Sequence, residues 1–331
     1  MSICFEKDSR DLLSDLCEEY LAHCEMMLHR APKTLKTNRY WLKCWERWCR
    51  EFDIDSSRPT PLDIQMFSQR PVRQAGGGTK ERSESSQRNS LFALRGFFGW
   101  LKDWKDFESD PSKKTVPVRK KQPRPKPVPF KEFFGLPFAK LDLRLQLALG
   151  LGWFTGIRRS EMALLRVGDV QDDFLIVNRP KTHDVSDFPW VQVSKYLAED
   201  HDARGWSCSA FRDRWMRQMM ERVRDGDVSE SLIPNLTEGS HTLVEPEGEH
   251  VGYLFQNAFG YRDGLDFSPH QLRHSFGQNM ANLRNRDHRP MPDQLAGLMG
   301  HRSIQTTIDY YYSALDSYVD GMNTDMSRKV S

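Results

Sequence analysis

Between residues 111 and 131 the chain reads PSKKTVPVRKKQPRPKPVPFK, with six prolines, eight lysines or arginines and no acid. Proline fixes φ and has no N–H to give, so a run this dense cannot propagate a helix and favours an extended backbone. The stretch therefore predicts a division of the 331 residues into a region 1–110, a linker 111–131 and a region 132–331. Its cations are Lys113, Lys114, Arg119, Lys120, Lys121, Arg124, Lys126 and Lys131. Two readings fit them. They decorate a plain linker, or they form a strap along a phosphate backbone, where each neutralised phosphate releases counterions.

The whole chain carries a formal net charge of only +2, so any basic surface must be local. The apolar run 141–154 is interrupted by Arg144 and Gln146 and is far shorter than a bilayer span. The first residues, MSICFEKDSR, lack a cationic start followed by an apolar core, so no signal peptide is expected and the cytoplasm is the default location. The six cysteines form no CxxC pair, and five fall in the first 49 residues, so they read as reduced and packed rather than as disulfides or a zinc site.

Residues 10–105 read as helical. Trp41, Trp45, Trp48 and Phe52 recur on one helical face, as do Leu91, Leu94, Phe98 and Leu101, and both stripes are expected in a core. The opposite faces carry Lys36, Arg39, Lys43 and Arg47, then Arg88 and Arg95, which are solvated charges or phosphate contacts. Between the helices, residues 71–88 (PVRQAGGGTKERSESSQR) are expected as a mobile loop. Residues 141–153 fit a strand by alternation and a helix by Leu141, Leu145 and Leu149. Residues 174–178 and 187–193 read as short strands around a polar turn holding Lys181. A basic helix is expected over 207–224, an irregular insertion over 231–252, and mostly helix from 268 onward.

The chemistry-bearing residues lie in three segments, TGIRRSE at 155–161, SPHQLRHSF at 268–276 and GHRSIQTTIDYYY at 300–312. Arg158 follows a Thr-Gly that can end one helix and begin another, which would put its guanidinium at a cleft. A guanidinium keeps its charge and offers a fork of donors suited to phosphate. His270, Arg273 and His274 share one helical face; an arginine there suits a non-bridging phosphoryl oxygen and a histidine can move a proton near neutral pH. The residue after His270 is Gln271, so the glutamate base of a zinc-protease helix is missing, and no metal site is expected. His301 follows Gly300 at a turn. Tyr310, Tyr311 and Tyr312 read as core or interface aromatics, or as phenols able to attack phosphorus and store the ester energy.

In this order the residues resemble the tyrosine recombinase, or phage integrase, family over roughly residues 12–315. That family's sequence of Arg, Lys, His-x-x-Arg, His and Tyr is matched by Arg158, Lys181, His270, Arg273, His301 and Tyr310, the nine-residue interval after His301 selecting Tyr310. The resemblance implies a mainly α chain with a small β-sheet: a helical core-binding domain (1–110) and an α+β catalytic domain (132–331) forming a clamp around DNA. It implies that Tyr310 attacks the scissile phosphate to leave a 3′-phosphotyrosyl bond, and that Arg158 and Arg273 hold the non-bridging oxygens. Lys181 would protonate the leaving 5′-oxygen, His270 would assist proton transfer at the tyrosine, and His301 would hydrogen-bond the phosphate. Glu161 would orient the site from behind. No metal or other cofactor is implied. The partners implied are double-stranded recombination sites, further copies of the chain (a dimer on each site, a tetramer on two) and possible accessory DNA-binding or directionality factors, with no membrane and with nucleoid association.

Some features depart from the simplest pattern: about 27 residues separate Arg273 from His301, slightly long for the family. Residues 195–267 look enlarged, and no arm-binding domain fits before the core-binding helices. The tail carries Leu315, Val319, Met322 and Met326 at helical spacing, for packing on its own domain or on a neighbouring protomer. The reading is a site-specific recombinase acting in integration, excision, resolution or transposition. The alternative is a catalytically silent DNA-binding regulator or architectural protein of the same fold.

Overall fold

The structure is a computed structural model, and it describes residues 9–56, 58–73, 77–118, 126–180, 183–234, 249–260 and 267–312. The chain divides into two compact units, Met1–Lys121 and Gln122–Ser331. Most described residues are helical, with two short antiparallel strand pairs.

The first unit is built on four helices: α1 (Ser9–Met26), α2 (Pro32–Glu51), α3 (Pro61–Gln69) and α4 (Glu84–Trp104). Their starts are written locally. Thr60 accepts from the Asp63 N–H while Asp63 accepts from the Thr60 N–H, and Pro61 occupies the first helical position, where its missing donor costs nothing. Ser83 caps α4 by accepting from the Ser86 N–H. The inward stripes meet in one core, where Trp45 lies against Phe67 and Phe98 in edge-to-face contacts. Phe52 departs from its stripe. It lies one residue past the end of α2 and is 52% exposed, lying against the Trp48 ring.

The segment expected as a loop at 71–88 carries secondary structure at both ends. Val72–Arg73 (β1) pairs with Thr79–Lys80 (β2), and α4 begins at Glu84 because Ser83 can cap it. The proline-rich stretch is not extended throughout either. Pro111–Lys114 forms a 3₁₀ turn packed on α3 and α4, with Ser112 and Thr115 buried. Two of its prolines sit where helices begin, Pro111 opening this turn and Pro129 preceding Phe130–Phe134 (α5).

The second unit surrounds α6 (Leu143–Thr155), whose residues 145–155 are all buried. A helix buried on every side has no polar face, which is why its leucines also suit a strand. Around it lie α7 (Arg159–Leu164), the antiparallel hairpin β3 (Leu175–Arg179) and β4 (Asp184–Phe188), α8 (Trp190–Asp202) and α9 (Cys208–Asp225). Then follow α10 (Glu249–Phe259), α11 (Pro269–Ala281), α12 (Pro292–Met299), α13 (Ile304–Thr307) and one π-helical turn, Ile308–Tyr312.

The second strand lies earlier than the sequence suggests. Residues 190–193 are helical, because Pro189 cannot donate to a ladder and instead precedes a face made of Trp190, Val193 and Leu197. The basic helix at 207–224 corresponds to α9. Of the expected irregular insertion, residues 249–252 are helical and 235–248 lie outside the described residues, as does the tail after Tyr312. The five described cysteines are buried free thiols. Among the described residues no helix is long and apolar enough to cross a membrane.

Candidate active site

Two chain reversals organise the site. Gly156 ends α6 in the left-handed region (φ 60°), and the chain crosses an extended Arg158 before starting α7. A Cβ on Gly156 would lie 2.3 Å from the Phe276 ring, so neither the backbone nor the space admits another residue. Gly300 ends α12 the same way (φ 62°).

The end of α12 leaves carbonyls that need donors. The backbone supplies two, from Gly300 N–H to Gly297 O at 3.0 Å and from His301 N–H to Ala296 O at 2.9 Å. Arginines from three separate elements take the next three carbonyls in succession. Arg179 Nη2 donates to Leu298 O at 2.9 Å, Arg273 Nη2 to Met299 O at 2.6 Å, and Arg158 Nη2 to Gly300 O at 2.5 Å. The negative end of the helix dipole favours this gathering of cations. Arg273 Nη1 also donates to Gly156 O at 2.7 Å, tying the two reversals together.

Glu161 is the buried carboxylate of the cluster, 2% exposed. It accepts from the Arg158 backbone N–H at 2.7 Å and from Arg158 Nη1. Asp184 acts on Arg179 from an exposed position. Arg273 is buried, and burial first, then the neighbouring Arg158, pulls its guanidinium down to about 10. Burial likewise lowers Arg179. Three guanidiniums around one buried carboxylate leave an excess of positive charge, which is costly to bury unless an anion joins it.

Beside the arginines runs a column of rings. His274 Nε2 lies 3.1 Å from His270 Nε2, and His274 Nδ1 lies 3.2 Å from Tyr311 Oη. The Tyr310 ring stacks on His274 with centroids 5.4 Å apart. Burial, then His270 and Arg273, lowers His274 to about 4, so it is neutral at pH 7. His301 pairs through Nδ1 with Thr307 Oγ1 at 2.7 Å, and burial followed by Arg273 and Arg158 pushes it down to about 3. The three tyrosines differ. Tyr310 is half-buried and its phenol is raised by burial alone. Tyr311 is buried and raised further, with Arg273 opposing the shift. Tyr312 donates to Pro290 O at 2.5 Å and is pushed up to about 12 by burial.

Of the residues singled out in the sequence, Arg158, Glu161, Arg273 and His301 meet at the two reversals. His270 and Tyr310 flank His274 beside them. Lys181 belongs to the connection between β3 and β4 and lies outside the described residues. Of the basic residues assigned to DNA, Lys113, Lys114 and Lys126 are exposed and Arg88 is half-buried, whereas Arg119, Lys120, Lys121 and Arg124 lie outside the described residues. Arg95 is already engaged, donating to Thr115 O at 2.8 Å and Thr115 Oγ1 at 2.9 Å.

Sequence reasoning missed Arg179; it placed His274 on the helical face of His270 and Arg273 and kept Tyr311 among the three candidate aromatics, without assigning either a specific role. A signal for Arg179 existed: with Leu175 and Val177 it occupies every second position of β3, the face that is buried. A charged residue in that register requires a partner inside the protein.

Known proteins share this architecture. A curated relative, tyrosine recombinase XerA of Pyrococcus horikoshii, is 23% identical over 304 residues, covering 90% of this chain and 88% of its own. Among solved structures, a lambda integrase dimer bound to a COC′ core site superposes with a TM-score of 0.59 at 18% identity, over 92% of this chain and 81% of that one. XerH site-specific recombinase bound to palindromic difH substrate, in a post-cleavage complex, gives 0.57 at 16% identity, over 97% and 84%. At such identities the likeness is one of fold. The phage integrase family model matches residues 136–317, more than half of the chain and all of the clustered site, and the chain belongs to that family, the tyrosine recombinases.

Proposed function

We propose that this protein cuts and rejoins double-stranded DNA through a covalent tyrosyl intermediate, exchanging strands between two sites. The observation that carries the reading is the convergence of Arg158, Arg179 and Arg273 on three successive carbonyls around one buried carboxylate. Such a cluster needs an anion, and a phosphodiester in attack gathers negative charge on its non-bridging oxygens.

The roles follow from chemistry and from family membership. Tyr310 Oη bonds to phosphorus as the bond to the 5′-oxygen breaks, leaving a 3′-phosphotyrosyl ester and a free 5′-hydroxyl. Burial holds the Tyr310 phenol above its ordinary value, so the attack needs a base. His274 stacks on its ring and lies 3.1 Å from His270, which assists the proton transfer. Lys181 returns a proton to the departing 5′-oxygen. Arg158 and Arg273 hold the non-bridging oxygens, and His301 donates from Nε2 when Thr307 donates to its Nδ1. The 5′-hydroxyl of a second strand then attacks the phosphotyrosyl ester and releases Tyr310, so no nucleotide is consumed.

Strand exchange requires two sites and therefore several protomers. The fold is shared with lambda integrase, which has been solved as a tetramer on a Holliday junction. A dimer on each site and a tetramer on two, acting at the nucleoid, is the assembly proposed here. Accessory factors would set direction, because the bond energy is conserved.

The test is a nicked suicide duplex carrying a site that the protein selects from randomised DNA. A covalent adduct on a denaturing gel with wild type, lost in Tyr310→Phe, supports the reading. An adduct that persists in Tyr310→Phe moves the nucleophile to Tyr311 or Tyr312. Tight specific binding with no adduct from wild type favours the silent DNA-binding alternative.

A further inference from the structure

We infer that Arg179 is a positioning residue for DNA cleavage, holding the turn that aims the Arg158 and Arg273 guanidiniums at the phosphate. The inference rests on the reading given above. Arg179 ends β3 on its buried face and is 2% exposed. Its Nε donates to Ser186 Oγ at 2.8 Å on the paired strand β4, and its Nη2 to Leu298 O at 2.9 Å. One side chain thus joins the hairpin to the end of α12. The next two carbonyls of that turn carry Arg273 and Arg158, so a shift at Leu298 is passed directly to both.

The turn is shaped to receive this guanidinium. A Cβ on Gly300 would lie 1.6 Å from Arg179 Nη1, so the arginine lies flat over the one residue type that leaves room for it. An apolar side chain would fill the same space without burying a charge. Placing a desolvated cation next to two others opposes folding, because like charges in a poorly solvated site repel. That arrangement is explained when the three cations act together on an anion. Arg179 meets the turn through one main-chain carbonyl, Leu298 O, so it steers the other two guanidiniums rather than touching the substrate.

The experiment measures single-turnover adduct formation by the full chain on the suicide duplex, with an ordinary phosphodiester or a methylphosphonate at the cleavage position. The methylphosphonate lacks one charged oxygen, so it depends less on well-aimed guanidiniums. Arg179→Gln is expected to slow cleavage of the phosphodiester about 100-fold, the order of loss that misplacement by about an ångström produces. Duplex affinity should stay within about threefold, and the deficit on the methylphosphonate should be at least about tenfold smaller. Ser186→Ala, which removes only the Nε anchor, should show the same pattern at about threefold, and serves if Arg179→Gln does not fold. Wild-type rates in both variants overturn the inference. So does a deficit of equal size on the two substrates, which marks a merely structural role. Absence of any wild-type adduct instead defeats the underlying reading, and the inference with it.

Discussion

The two units bury arginine in opposite ways. In the first, Arg82 lies between aromatic faces, its guanidinium 4.9 Å from the Trp41 ring centroid and 5.4 Å from that of Phe67, and donates to Phe67 O at 3.2 Å. It closes the end of α3 through main-chain carbonyls. In the second unit three arginines crowd one helix terminus and share a buried Glu161. Ring faces hold a single cation locally, whereas the second unit gathers three cations within reach of one another. A buried cation is thus structural or functional according to what surrounds it, and residue type alone does not distinguish the two.

The sharpest way to break this comparison is to remove one cation from each unit. Arg273→Ala should slow adduct formation about 1,000-fold, as loss of a preorganised charge-stabilising donor does. Arg82→Ala should leave the single-turnover rate of the folded protein within about threefold and instead lower stability by about 2 kcal/mol, measured by denaturant unfolding. Equal effects of the two on cleavage would end the distinction. A purely apolar control, Trp45→Ala, empties the core of the first unit and should cost about 4 kcal/mol by the same measurement.

Acid offers a milder probe of the second unit. His201 and His274 are held near 4 and His301 near 3, each chiefly by burial, against 6.5 for a free imidazole. The unfolded chain therefore takes up protons first, and stability should fall as pH drops below about 6.5, levelling off near 3–4. Hydrogen exchange followed by mass spectrometry separates the units. Flat protection of residues 126–312 between pH 6.5 and 4.5 would contradict the burial of these rings. The smallest effect is expected at the exposed Arg39–Glu18 pair, 2.8 Å apart, where Arg39→Ala should change stability by no more than about 0.5 kcal/mol.

Much of the candidate site was legible because the proposed chemistry needs particular residue types at short local intervals. His270, Arg273 and His274 share a helical face by spacing alone, and the Thr-Gly before Arg158 announces the reversal that presents it. Phe52 was misjudged because periodicity persists past the residue where a helix ends. The second strand was placed too late because Trp190 and Val193 suit a strand and a helix equally, and Pro189 decides between them.

The sequence by itself determined the helical character of the first unit and the identity of the family, and it singled out six candidate residues for the proposed chemistry, since these depend on short-range pattern and residue type. Only the tertiary structure decided that Arg158, Arg179 and Arg273 occupy consecutive carbonyls, 119 residues separating Arg179 from Leu298 and 142 separating Arg158 from Gly300. It also decided that His274 stands between His270 and Tyr311. Hydrogen bonds between main-chain carbonyls and distant side chains leave no periodic trace along a chain. They arise only when packing brings separate helix ends together and every buried donor must find an acceptor.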